Sequence, residues 1–170
     1  MTKLEIIQGD ITELKVDAIV NAANTSLLGG GGVDGAIHFI AGKELMIECR
    51  ALNGCKVGEA KITKGYKLPA KHVIHAVGPV WNGGTQYEEE FLANCYNRCL
   101  EIAQENNLKT IAFPCISTGV YHFPKDRACQ IAVKTISAFI QKSPVFDKII
   151  FACFTQEDFD LYRQACPNNS

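Results

Sequence analysis

Short apolar runs with a period of two give way, along this chain, to longer stretches in which apolar residues recur every three or four positions. Leu4–Ile7, Val16–Val20, His72–Val77, Thr110–Pro114 and Lys148–Phe154 predict strands, and Ala60–Tyr66, where Ala, Ile and Gly alternate with lysines, predicts a half-exposed one. Helical spacing follows most of them. Gln8–Leu14 turns into a short helix. Val33, Ile37, Ile40 and Ala41 share one helical face, and Leu45, Met46, Cys49 and Leu52 share another on a helix that ends at Asn53-Gly54. Thr85 with Glu88 predicts a capping box opening a long helix to about Asn106, with Phe91, Cys95, Cys99, Ile102 and Ala103 on its apolar side. Ala128, Ile131, Ala132, Thr135 and Phe139 mark the next helix, and Thr155 caps a last one through Arg163. Strands alternate with helices, so the fold class is α/β, with a sheet covered on both faces.

Two strand-to-helix connections carry the chemistry. Asn21 to His38 places four glycines, Gly29 to Gly32, between a strand and a helix. Glycine lets another molecule approach the backbone, and a helix N-terminus offers unpaired N–H groups to anions, so a phosphate cradle is one reading. A flexible loop is the other. Asn21 and Asn24 serve either a ligand or ordinary turn capping. Asp34 and His38, four residues apart, share a helical face beside the loop. Cys115 to Pro124 repeats the logic with Ser117, Thr118 and Gly119, and a diphosphate could be gripped between two such loops. Asp10 reads equally as a helix N-cap with Glu13 or as a ligand. Phe154, at a strand end, is either core or a platform for a base. His75, inside an apolar strand, reads as a satisfied core histidine.

Composition narrows the class. A chain of 170 residues suits one domain, since chains of this size bury roughly 70% of their unfolded surface. Residues 1–166 are expected to form it, with 167–170 as a short tail. No apolar segment approaches the ~20 residues of a membrane helix, and Glu5, Gln8 and Asp10 interrupt any signal-peptide core, so a cytoplasmic location is expected. A net charge of −1 disfavours a nucleic-acid binder, and phosphate has to be held by local backbone donors. Eight cysteines without a CxxC pair read as reduced, mostly buried thiols, with no metal site expected.

The motifs Gly9-Asp10-Ile11-Thr12, Asn21-Ala22-Ala23-Asn24, Leu28 to His38, Cys49-Arg50 with Gly54-Cys55, His72 to His75 with Val77-Gly78-Pro79, and Ile116 to Tyr121 follow one another in order. Together they resemble a macrodomain of the MacroD type, over nearly the whole chain. The resemblance implies a three-layer α/β/α fold with a central mixed sheet, and a monomer without cofactor or metal. It also implies binding of ADP-ribose, its cleavage from acidic side chains of mono-ADP-ribosylated proteins, and deacetylation of O-acetyl-ADP-ribose. By position, Asp10 and the Ile11 backbone would meet the adenine, with Phe154 packed against it. Gly30, Gly31, Gly32 and Val33 on one side, and Ser117, Thr118, Gly119, Val120 and Tyr121 on the other, would enclose the diphosphate and distal ribose, and Asn21 would be a further ligand-binding residue. Asn24, Asp34 and His38 would surround the scissile ester.

Hydrolysis needs an aimed water and a proton acceptor. A carboxylate in the first turn of a helix is favoured as the ion, which predicts a depressed pKa and a weak base at Asp34. On that reading Asp34 chiefly orients water and ribose, and bound phosphate shares the proton. His38 either bonds Asp34 or supports the helix. His122 stands where the family usually has a small residue, which bears on substrate preference, and Val57 replaces a more usual threonine or proline with little effect expected. The competing function is a reader that binds ADP-ribose without chemistry.

Overall fold

The computed structural model describes residues 1–166, so the expected tail at 167–170 lies outside the described residues. Six strands form, β1 (Lys3–Gln8), β2 (Ala18–Ala23), β3 (Ala60–Lys64), β4 (His72–Val77), β5 (Thr110–Phe113) and β6 (Lys148–Cys153). Five helices accompany them, α1 (Gly32–Ala41), α2 (Lys43–Ala51), α3 (Glu88–Glu105), α4 (Lys125–Lys142) and α5 (Gln156–Ala165), with a 3-10 turn at Ile11–Glu13. The strands make one mixed sheet in the order β1-β6-β5-β2-β4-β3. Every neighbouring pair is parallel except β3 with β4.

Because side chains alternate across a strand, the sheet feeds two cores. Ile19, Ala23, Val73, Val77, Ala112 and Ile150 face α1 and α2 and pack with Ile37, Ala41, Leu45 and Cys49. Val20, Ile74, Ile111, Phe113 and Phe151 face the other way, against Tyr96 and Leu100 of α3, Ala132 and Ile136 of α4, and Tyr162 of α5. The architecture is the three-layer α/β/α sandwich that the resemblance implied.

Strand β2 leads to α1 on one face, while its neighbour β5 leads to α4 on the other. Connections that leave adjacent parallel strands in opposite directions open a crevice at the strands' carboxyl ends, where ligands of such sheets collect.

Two elements differ from the sequence reading. Strand β2 runs three residues past Val20, through Asn21, because Asn21 sits in register with His75 of β4 and its amide is partnered there. Helix α3 is not capped by Thr85. Tyr87 takes the cap position with a left-handed φ of 60°, and Glu88 turns back to accept the backbone N–H groups of Asn82, Gly84 and Gln86. Burial alone would push the Glu88 carboxyl up, but those backbone donors hold it below its usual range.

Candidate functional site

The crevice is a cavity of about 590 Å³, within the usual range for small-molecule sites. Gly9, Ala22, Gly78, Pro114 and Ala152, each at or just past the carboxyl end of a strand, contribute to its wall. Of the residues singled out in the sequence, Asp10, Ile11, Asn24, Gly30 to Asp34, Ser117 to Tyr121 and Phe154 all line it. Asn21 and His38 do not.

The glycine stretch is built, not loose. Asn24 Oδ1 accepts from the Ser26 and Leu27 N–H groups and the Ser26 hydroxyl, while its Nδ2 donates to the Gly29 carbonyl at 2.9 Å. Turn capping and cavity lining are therefore both true of Asn24. Leu27, at a left-handed φ of 62°, is buried and anchors the turn. A Cβ on Gly35 would lie 2.5 Å from the Gly30 carbonyl oxygen, so the loop rests directly on the first turn of α1. That helix has no side-chain cap, and its bonding begins with Gly35 N–H to the Gly31 carbonyl. The N–H groups of Gly32, Val33 and Asp34 are left without intrahelical acceptors beside the cavity.

Asp34 is only 4% exposed. Asn21 Nδ2 donates to its Oδ1 at 2.9 Å, and a Cβ on Gly30 would lie 3.2 Å from its Oδ2. Burial raises the Asp34 pKa, outweighing the lowering by the Asn21 hydrogen bond and by His38. The depressed value expected from its place in the helix is thus overturned, because desolvation exceeds the pull of an N-terminal dipole here. His38 Nε2 lies 3.4 Å from Asp34 Oδ1, a contact that is ionic only with the imidazole protonated, and both ring nitrogens are buried with no hydrogen-bond partner among the described residues. Asn21, fully buried behind Asp34, is a support for the carboxylate and not a wall of the cavity.

The second loop is a compact turn. Phe123 N–H reaches the Ser117 carbonyl and His122 N–H the Gly119 carbonyl, each at 3.0 Å, while Thr118 Oγ1 donates to the Cys115 carbonyl. Ser117 and His122 both hold left-handed φ, 69° and 61°. Histidine accepts that region more readily than a branched residue, so His122 fits the turn, with its side chain exposed. The N–H groups of Thr118, Gly119, Val120 and Tyr121 have no partner among the described residues. Trp81 N–H bonds the Tyr121 carbonyl at 2.8 Å and ties the loop to the segment after β4.

At the remaining end, Asp10 Oδ1 accepts from Thr12 N–H at 2.9 Å and Thr12 Oγ1 at 2.7 Å. The cap reading holds, with Thr12 and not Glu13 as its partner, and Asp10 still faces the cavity. Phe154 is 79% exposed, so it is not core. Asp158, on the first turn of α5, lines the cavity and is missed by the sequence reading, which names only its capping partner Thr155, whose hydroxyl accepts from the Asp158 N–H.

All eight cysteines are free thiols, seven of them buried. Among the described residues, His38, Cys49 and His75 could offer a metal three atoms within 4.8 Å of one another. His75 Nε2 already lies 2.9 Å from Thr63 Oγ1, so metal capture would cost that contact.

A model of the Macro domain family matches residues 20–132. A Macro domain-containing protein of Mesorhizobium japonicum is 60% identical over 165 residues, 97% of this chain and 94% of that one. The human ADP-ribose glycohydrolase MACROD2 is 55% identical over 164 residues, which are 95% of this chain but 39% of that protein. The Oceanobacillus iheyensis macrodomain with ADP superposes with a TM-score of 0.93 at 44% identity, over 96% of this chain and 90% of that one. The Trypanosoma brucei macrodomain in complex with ADP-ribose does so with a TM-score of 0.91 at 44% identity, over 95% and 68%. Sheet order, the crevice between β2 and β5 and these likenesses agree: the chain belongs to the macro domain family.

Proposed function

We propose that this protein binds ADP-ribose in the crevice and hydrolyses the ester joining it to acidic side chains of proteins, and that it releases acetate from O-acetyl-ADP-ribose at the same site. The observation that carries the reading is a buried carboxylate, Asp34, set in the wall of a cavity whose neighbouring loops present free backbone N–H groups. Such donors suit a diphosphate without a lysine or arginine. A pure reader gains nothing from placing a carboxylate beside an anionic ligand, since the two repel.

In this reading the first turn of α1 and the loop Thr118–Tyr121 hold the diphosphate, Phe154 packs on the adenine, and Asp10 with the Ile11 backbone meets its polar edge. Water attacks the carbon that carries the ester, its proton passes to the Asp34 carboxylate, and the protein's acidic side chain leaves as carboxylate. A raised pKa makes Asp34 a stronger base than a free aspartate, and a bound diphosphate raises it further by like-charge repulsion. Asn24 and Gly30 fix the loop against which the distal ribose rests.

The test is incubation with a protein mono-ADP-ribosylated on glutamate, measuring free ADP-ribose. Asp34→Ala is expected to keep ADP-ribose affinity by calorimetry and lose about a hundredfold or more in turnover, the usual scale for a positioned base. Full activity in that variant removes Asp34 from the mechanism. Tight binding with no release by the native chain makes the protein a reader.

A further inference from the structure

His75 is fully buried in the middle of β4, yet it is wired to the Asp34 carboxylate. The wiring crosses three adjacent strands. Thr63 of β3 donates its hydroxyl to the Lys64 carbonyl at 3.1 Å. Thr63 Oγ1 also lies 2.9 Å from His75 Nε2, and with its proton on that carbonyl its lone pairs are open to an N–H from the ring. Asn21 fixes the tautomer: its Nδ2 faces the Asp34 carboxylate and also His75 Nδ1, which must be bare to accept, so Nε2 carries the imidazole proton. Cys49 Sγ, 3.7 Å from the same nitrogen, is compatible with that assignment as a weak acceptor.

The consequence falls on the other ring nitrogen. In the neutral ring Nδ1 is then bare, and it lies 3.1 Å from Asn21 Nδ2, on the strand partnered in register. Burial keeps the ring neutral, with its pKa pushed down to about 3. The Asn21 amide has two protons; one goes to Asp34 Oδ1 at 2.9 Å and the other to His75 Nδ1. The Asn21 carbonyl oxygen is buried with no partner among the described residues, so the two contacts of Nδ2 fix which way the amide faces. If the amide turned over, its oxygen would meet a carboxylate oxygen and a bare imidazole nitrogen, both repulsive.

We infer that His75 is a positioning residue for the hydrolysis proposed above: as an Nε2-protonated acceptor it locks the Asn21 amide so that Asn21 presents an N–H to Asp34. His75 touches no part of the cavity, so it acts through Asn21 on the orientation of the carboxylate.

Two substitutions separate this role from packing. His75→Asn places a carbonyl oxygen near the position of Nδ1 and keeps the acceptor; His75→Gln reaches toward Thr63 but gives up the acceptor. The expected result is a kcat about tenfold lower in His75→Gln, the scale of one buried hydrogen bond, with KM and ADP-ribose affinity kept. His75→Asn is expected to retain most of the native kcat. Equal losses in the two, or native kcat in both, overturn the proposal. A ¹⁵N spectrum of the native imidazoles provides an arm that does not depend on a variant folding: His75 is expected as the Nε2–H form at neutral pH, and an Nδ1–H form or an imidazolium overturns the lock. If the native chain releases no ADP-ribose, the hydrolase reading fails and the positioning role with it, whereas a lost amide lock in an active enzyme strikes this inference alone.

Discussion

Burying a carboxylate is unfavourable unless hydrogen bonds replace its water, and Asp34 keeps only part of what it gave up. Its folded pKa is raised, so the stability linked to its protonation is complete below 3.8 and lost as pH rises through the raised value. Above that raised value the fold carries the cost of a buried ion. Asp34→Asn, whose amide oxygen can still accept from Asn21, is therefore expected to stabilise the fold by about 1 kcal/mol while removing turnover, a trade common at strained sites. Thermal unfolding and ADP-ribose release on the same preparation check both halves. The position of Asp34 beside the glycines was legible in the sequence; its depth was not, which is why helix placement gave the wrong direction for its pKa. Asn21 misled for the same reason, since an asparagine next to a ligand loop and one buried behind it look alike in one dimension.

At the scale of the element, the connection from β2 to α1 works because glycine appears where backbone meets backbone. Gly35→Ala would drive a methyl group into the Gly30 carbonyl, 2.5 Å from the ideal Cβ, and neither partner is a flexible side chain. It is expected to cost about 1–3 kcal/mol, the range for overpacking, and to weaken ADP-ribose binding by displacing the loop. Gly31→Ala, with nothing within 4 Å of the new Cβ and an ordinary φ of −95°, is the control expected to fold and melt like the native chain. Denaturant midpoints and calorimetric titration distinguish the two. Period-two and period-3.6 patterns located every strand and helix here, because packing against a two-faced sheet enforces them. Thr85 was misjudged at α3 because the actual partners of Glu88 lie upstream in the loop, and no local spacing announces a side chain that folds back on Asn82, Gly84 and Gln86.

Over the whole molecule, the row Thr63, His75, Asn21 and Asp34 threads polar groups through an otherwise apolar layer between the sheet and α1–α2, and that row ties stability to pH. His75 has a folded pKa near 3 against 6.5 for a free histidine. Its contribution to stability is present above 6.5 and is lost as pH falls toward 3, because only the unfolded chain takes up the proton. The slope approaches about 1.4 kcal/mol per pH unit. Asp34 opposes it, since its protonation in the fold begins above 3.8 and adds stability as pH falls. Asp17 and Glu88, both held below their ordinary values, add to the loss only near 3.8 and 4.5 and lower. Between pH 6.5 and 5 the His75 contribution is therefore already being lost. Urea midpoints across that window are expected to fall with acid in the native chain and to flatten in His75→Gln; an unchanged slope in His75→Gln would show that the acid sensitivity arises elsewhere.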